Sequence, residues 1–208
     1  MRIDRQPRRL FALLGALALA ACGDTKATPP SSPAPGAAAA EVAQPATLDG
    51  LVAQVHALRK SGDSDGAFAL VLTLLPTQGQ LKSILKAGPD TDAFLGKYPL
   101  HDLRADDARV IDFGKQLFKP ANDKQTEIQV YAATTEELAA YAKGTPAFEF
   151  PGGAQRFAEA IAAPGRTWYY VRLAVPGEGH GMTYSLFTRL DDRFLFLAKP
   201  WQGIPRAK

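Results

Sequence analysis

The spacing of apolar residues changes near residue 120 of this 208-residue chain. Between residues 47 and 120, apolar residues recur every three or four positions, in segments that end at Gly62, Pro76 and Pro120. From residue 126 to residue 199, short runs alternate polar and apolar residues, as half-buried strands do. The sequence therefore predicts an α+β fold, with a helical N-terminal half followed by a mainly antiparallel four-stranded sheet with inserted helices.

The helical half is expected to contain five helices, at residues 48–60, 65–75, 78–87, 90–97 and 102–119. Strands are expected at residues 126–133, 167–175, 182–190 and 193–199, with helices at 135–143 and 154–162 and an extended segment at Phe148-Glu149-Phe150. Thr134 and Glu137 have the spacing of a capping box. We predict one domain over residues 47–208, helical over 47–120 and sheet-containing over 126–199. The sequence leaves open whether the helical half is a separate domain.

Residues 1–21 have the pattern of a secretory signal peptide. Four arginines and one aspartate precede an apolar run over residues 10–21. Twelve residues extend about 18 Å as a helix, which is too short for a hydrocarbon core of about 30 Å. We therefore expect this segment to be removed rather than to remain as a membrane-spanning helix.

The end of the apolar run is more specific. Leu19-Ala20-Ala21-Cys22 resembles the lipobox of bacterial lipoproteins, and the resemblance covers residues 1–24 only. It implies that the chain is cut before Cys22 and that lipid attached to this cysteine anchors the protein to a membrane, since two or more acyl chains give stable anchoring. In that family an aspartate directly after the cysteine marks inner-membrane retention. Gly23 stands there instead, which implies the outer membrane, with the domain facing the periplasm.

Residues 22–46 are predicted to be the lipidated cysteine and a disordered tether. The segment after Cys22 has five prolines, no aromatic residue and one large aliphatic residue, Val42. Such a composition does not bury enough apolar surface to offset the entropy of ordering. Fully extended at ~3.1 Å per residue, its 24 residues reach roughly 75 Å.

Charge and cysteine content limit the classes of function. The net charge of +3 comes from the signal segment, and the chain from Cys22 onward has twenty lysines and arginines against twenty aspartates and glutamates. This balance gives no support to nucleic-acid binding, which needs a clustered basic face. Cys22 is the single cysteine, so no thiol remains for a disulfide or a cysteine metal site. The histidines have no short ligand spacing, and we predict neither a metal nor a cofactor.

The sequence offers weak evidence for catalysis. His180 and Glu178 lie in a glycine-rich segment, where a carboxylate and an imidazole are suited to acid–base chemistry. A hairpin loop between two strands explains the same residues. An envelope hydrolase using carboxylates and His180 is therefore the alternative hypothesis.

A binding function is the preferred hypothesis. Trp168, Tyr170 and Arg172 alternate onto one face of a strand, and Trp201 follows the last strand. Tryptophan, tyrosine and arginine dominate interface hot spots, so these four residues are the candidate binding surface. We predict a non-catalytic domain that binds another envelope or periplasmic protein, such as an immunity or inhibitor lipoprotein. The competing interpretation is that helices cover this face and that these side chains belong to the core.

Overall fold

The computed structural model describes residues 42–98 and 107–204. The α-helices of this part are α1 Leu48–Lys60, α2 Ser64–Leu72, α3 Gln78–Ile84, α4 Pro89–Leu95, α5 Ala108–Gln116, α6 Thr135–Ala140 and α7 Gly152–Ala160. The strands are β1 Glu127–Thr134, β2 Thr167–Ala174, β3 Gly181–Leu190 and β4 Arg193–Phe196. The predicted fold class is confirmed: the fold is α+β, with most helices in the first half and the strands in the second.

Local capping explains where the most accurately predicted helices begin. Thr47 is extended and its side chain accepts a hydrogen bond from the Gly50 N–H, which starts α1 at the predicted residue. Thr134 and Glu137 form the predicted capping box of α6, in which each side chain accepts from the other residue's backbone N–H. At both positions, residues a few places apart in the sequence are sufficient to predict where the helix begins.

Several predicted elements differ from the structure, among them α2, the segment at residues 148–150 and α5. The α2 helix ends at Leu72 instead of residue 75, and tighter turns in which each N–H bonds three residues back follow it. Pro146–Glu149 forms a short 3-10 helix where an extended segment was expected, because Pro146 fixes a helical φ at its first position. The α5 helix is described from Ala108, and the part of its predicted range before residue 107 lies outside the described residues.

The sheet has the strand order β1-β2-β3-β4, and each neighbouring pair is antiparallel. The β1–β2 register is regular over eight pairs, from Glu127↔Ala174 to Thr134↔Thr167. A register shift occurs in β2–β3 between Tyr169 and Tyr170. The two-residue turn after Leu190 uses Asp191 in the left-handed region, with φ of 53°, to return the chain into β4.

Helices cover both faces of the sheet, and each face has its own core. On one face α3, α4, α6 and α7 pack against side chains of the four strands and of the chain after β4, including Trp168, Tyr170, Leu186, Leu195 and Leu197. On the other face α1, α2 and the end of α5 pack against Val171, Leu173, Phe187, Phe194 and Phe196. The described helices and strands therefore form three layers within one compact unit.

The packed part of the chain begins before α1. The side-chain amide of Gln44 bonds the backbone of Phe194 in β4 and the carbonyl of Thr73 after α2. Arg189 donates a hydrogen bond to the Ala46 carbonyl at 3.0 Å. Residues 44–46 thus belong to the domain, although their composition placed them in the tether.

Candidate functional site

The aromatic pair predicted for a binding surface, Trp168 and Tyr170, lies inside the protein. Trp168 is fully buried and Tyr170 is 4% exposed. The Phe157 ring of α7 meets the Trp168 ring edge to face, with 4.9 Å between centroids, and the indole N–H donates to Thr135 Oγ1 at 2.9 Å. The prediction that these aromatic side chains form a surface is wrong, because α6 and α7 cover this face of β2.

Arg172, the third residue of the predicted surface, is engaged within the domain. Its guanidinium pairs with Glu149 at 3.0 Å and donates to the Tyr131 hydroxyl at 2.9 Å, and its side chain is 11% exposed. Burial is the largest single influence and acts to lower the pKa of Arg172, but the hydrogen bond to Glu149 and the interactions with Tyr170 and Tyr131 together outweigh it, and the pKa is raised. Arg172 therefore fastens the Pro146–Glu149 turn to the sheet and does not form part of an open aromatic patch.

Trp201, the fourth candidate, packs back on the domain. Its side chain is partly buried against the core of the α7 face. A Cβ built at Gly153 would lie 2.4 Å from Trp201 Cγ, so the indole rests directly on the start of α7 where this glycine leaves room. The position of Trp201 matches the packing alternative and not an exposed anchor.

His180 and Glu178 form a pair in the loop between β2 and β3. The distance from His180 Nε2 to Glu178 Oε2 is 3.1 Å, and the two side chains are 86% and 45% exposed. The same loop is tied to β1 by a hydrogen bond of 3.3 Å from the Gly177 N–H to Glu127 Oε2. Acid–base catalysis needs a substrate held within hydrogen-bond reach of such a pair, and here the imidazole projects into solvent from a hairpin loop.

Of the remaining cysteine and histidines, Cys22 and His101 lie outside the described residues. His56, in α1, is partly buried, and its Nε2 is 2.6 Å from the Phe118 carbonyl oxygen.

Over residues 42–98 and 107–204, no three histidine, cysteine, aspartate or glutamate side chains come together as metal ligands. Over the same residues, no helix is both long and apolar enough to cross a membrane.

A groove lies between α2 and α5, beside the end of α1. Its volume is about 590 Å³, within the range of roughly 300–1,000 Å³ that is usual for ligand sites, and it is open to solvent along one side. Its lining includes three cations, two large apolar side chains and one carboxylate: Arg59, Lys115, Lys119, Phe68, Ile111 and Asp65.

Arg59 is fixed in the wall of this groove. Its Nη1 donates to the Leu117 carbonyl at 2.7 Å and its Nη2 donates to the Gly114 carbonyl at 2.8 Å. These carbonyls lie at the C-terminal end of α5, where helices leave acceptors unpaired and carry partial negative charge. Burial lowers the pKa of Arg59, but a guanidinium remains charged at neutral pH. Arg59 therefore joins α1 to α5 and places a positive charge in the groove.

Close packing of α2 on α5 sets the shape of the groove. A Cβ built at Gly114 would lie 2.3 Å from Phe68 Cδ2, so the Phe68 ring rests on the α5 backbone where this glycine has no side chain. Ile111 lies one turn earlier in α5 and is 36% exposed. The groove therefore combines a fixed aromatic ring with an exposed aliphatic side chain.

This groove was not predicted from the sequence, although two signals for it were present. Arg59 continues the apolar stripe of α1, four residues after Val55 and seven after Val52, so it lies on the face turned toward the core. Ile111 falls beside the inward stripe of α5 that includes Val110 and Leu117, and it is therefore an apolar residue on the solvent side. A charged residue on an inward helix face, together with an isoleucine on an outward face, is the pattern that could have predicted the groove.

Comparisons of the chain with protein-family models, curated proteins and solved structures find no match.

Proposed function

We propose that this chain is a lipid-anchored lipoprotein of the bacterial envelope, and that its folded domain binds a partner in the α2–α5 groove without catalysing a reaction. The anchor in this proposal is Cys22, and the membrane is the outer membrane, with the domain facing the periplasm. The groove replaces the aromatic face of β2 as the binding surface, since Trp168 and Tyr170 are buried.

The observation that carries the proposal is the combination of Arg59, Phe68 and Ile111 in one groove. Phe68 rests on Gly114 and Arg59 is held by two carbonyls, so both are positioned before any partner arrives. Binding to groups that are already ordered costs less conformational entropy. Ile111 supplies apolar surface whose burial by a partner is favourable.

The proposed tether suits such a role. The structure ties the start of the domain to β4 at Gln44, which leaves residues 23–43 between the anchor and the first packed residue. At ~3.1 Å per residue these 21 residues span at most roughly 65 Å. A binding domain held in this way can reach partners in the periplasm, as an immunity or inhibitor lipoprotein must do.

The test is photo-crosslinking in living cells. A photoreactive phenylalanine analogue replaces Ile111 in one strain and Val130 in another, because both side chains are 36% exposed and Val130 lies on β1, which does not line the groove. We expect a discrete cross-linked adduct from position 111 and none of that mass from position 130. The proposal fails if position 111 gives no adduct, or if both positions give the same one.

A companion variant tests whether the β2–β3 loop, which carries His180, takes part in binding. His180→Ala removes the exposed imidazole and does not touch the groove. We expect this variant to retain the adduct at position 111. Loss of the adduct would connect the β2–β3 loop to the partner and contradict the placement of the binding site.

A further inference from the structure

We propose that the α2–α5 groove recognises an acidic, apolar segment of a protein partner, in which a carboxylate side chain stands two residues from an aliphatic or aromatic one. This inference rests on the proposed binding function and adds the chemical class of the ligand.

The charge of the groove favours an anion. Arg59, Lys115 and Lys119 line it against one carboxylate, Asp65. The chain from Cys22 onward has equal numbers of basic and acidic residues, so this excess is a local feature and not a reflection of general basicity. Complementary charge steers a partner toward such a surface and excludes like-charged ones.

The guanidinium of Arg59 has N–H groups left to donate to a further hydrogen-bond acceptor. A guanidinium has five N–H donors, and two are used by the carbonyls of Gly114 and Leu117. The two bonds fix the plane of the group, and its partial burial weakens competition from water. A carboxylate that approaches along the groove gains a charge-assisted hydrogen bond without requiring Arg59 to move.

The spacing of Ile111 and Lys115 indicates the spacing in the ligand. These residues are four apart on α5, which places their Cβ atoms about 5–6 Å from each other. In an extended peptide, side chains two residues apart point to the same side and are separated by roughly 6.6 Å. An apolar residue against Ile111 and Phe68 therefore brings an acidic residue two positions away to Lys115.

The open side of the groove favours a peptide over an acyl chain. Pockets for small apolar ligands bury about 70–90% of the ligand surface. Here one side faces solvent and Ile111 stays 36% exposed. A peptide whose other side chains point to solvent, or remain within the partner protein, fits this geometry without enclosure.

The experiment uses the full lipidated protein in detergent micelles and a random heptapeptide library displayed on phage. Selection on the wild type is combined with counter-selection on Ile111→Ser, and Val130→Ser is the control, since it removes an equally exposed apolar side chain outside the groove. Thermal melting confirms that each variant is folded. Selected peptides are then synthesised, and their affinities are measured for the wild type, Ile111→Ser, Lys115→Glu and Val130→Ser.

We expect enrichment of sequences with an apolar residue and an aspartate or glutamate two positions apart. Both groove variants should weaken binding by about tenfold or more, the effect typical of hot-spot residues, and Val130→Ser should change it by less than about twofold. Enrichment of basic peptides, or acidic peptides that bind Lys115→Glu as well as the wild type, overturns the ligand class.

A second probe separates failure of the ligand class from failure of the binding function. A fluorescent fatty acid, dansyl-undecanoate, is titrated into the same samples, with empty micelles as the background. If it binds the wild type and not Ile111→Ser while no acidic peptide does, the groove is a binding site of another class. If neither probe depends on Ile111 and no cross-link forms at position 111, the proposed function fails as well.

Discussion

Gln44 pairs with Phe194 as a residue of a neighbouring strand would. Its Nε2 donates to the Phe194 carbonyl at 3.1 Å, and its Oε1 accepts from the Phe194 N–H at 2.6 Å. One side chain thereby occupies hydrogen-bonding groups on the outer edge of β4, where an unpaired edge invites association with other strands. It also links the beginning of the packed chain to its last strand.

Replacing Gln44 should therefore destabilise the domain. Gln44→Leu keeps a similar volume but removes both bonds to the Phe194 N–H and carbonyl, and the bonds to Thr73, whose carbonyl still accepts from Arg193. We expect the free energy of unfolding in urea to fall by about 1–3 kcal/mol. The control Val42→Ser changes an exposed side chain and should cost less than about 0.5 kcal/mol. Equal values for the two variants would contradict the role of Gln44.

Truncation of the two tryptophans to alanine should lower the free energy of unfolding by different amounts. Trp168 is fully buried and hydrogen-bonded to Thr135, so Trp168→Ala should lower the free energy of unfolding by about 3–5 kcal/mol. Trp201 is partly buried on Gly153, and Trp201→Ala should cost about half as much or less. Urea unfolding of both variants measures this. If Trp168→Ala were the milder change, Trp168 would not be a core residue.

The fold could be predicted because its signals are local. Thr47 and Thr134 cap helices within a few residues, and alternation fixes the positions of the strands. Alternation did not reveal which face of β2 is the core, since Trp168 and Tyr170 on one face are as apolar as Val171 and Leu173 on the other. A strand covered on both faces loses the contrast that identifies a surface.

The groove could not be predicted because it depends on contacts between distant residues. Arg59 bonds carbonyls 55 and 58 positions away, and Phe68 rests on Gly114. Neither contact leaves a short-range motif in the sequence. Arg172 was predicted to lie on a binding surface because aromatic residues and arginine are enriched at interface hot spots. Its partners Glu149 and Tyr131 are also remote in the chain.

Alkaline pH should weaken the fold through one buried tyrosine, Tyr98, and one partly buried tyrosine, Tyr184. Burial raises the pKa of Tyr184 to about 12, and it also raises the pKa of Tyr98. The folded state then retains protons that the unfolded chain releases near pH 10, so this stabilisation is fully present below about pH 10 and is lost as pH rises through 12. Melting temperature should fall between these pH values, and less steeply in Tyr184→Phe. An identical slope in the variant would contradict this account.

Sorting of the proposed lipoprotein should depend on residue 23. Gly23 follows the proposed lipidated cysteine, and the resemblance to bacterial lipoproteins implies export to the outer membrane when no aspartate stands there. Density-gradient fractionation should place the wild type with outer-membrane markers and Gly23→Asp with inner-membrane markers. Both proteins in the inner-membrane fractions would contradict the predicted location.

The intact mass of the protein purified from membranes tests the proposed anchor most directly. We predict a polypeptide that starts at Cys22 and is increased by the mass of a thioether-linked diacylglycerol and an amide-linked acyl chain. The variant Cys22→Ser should carry neither addition. A wild-type mass equal to the unmodified chain, whether cleaved or uncleaved, would contradict the lipid anchor on which the account depends.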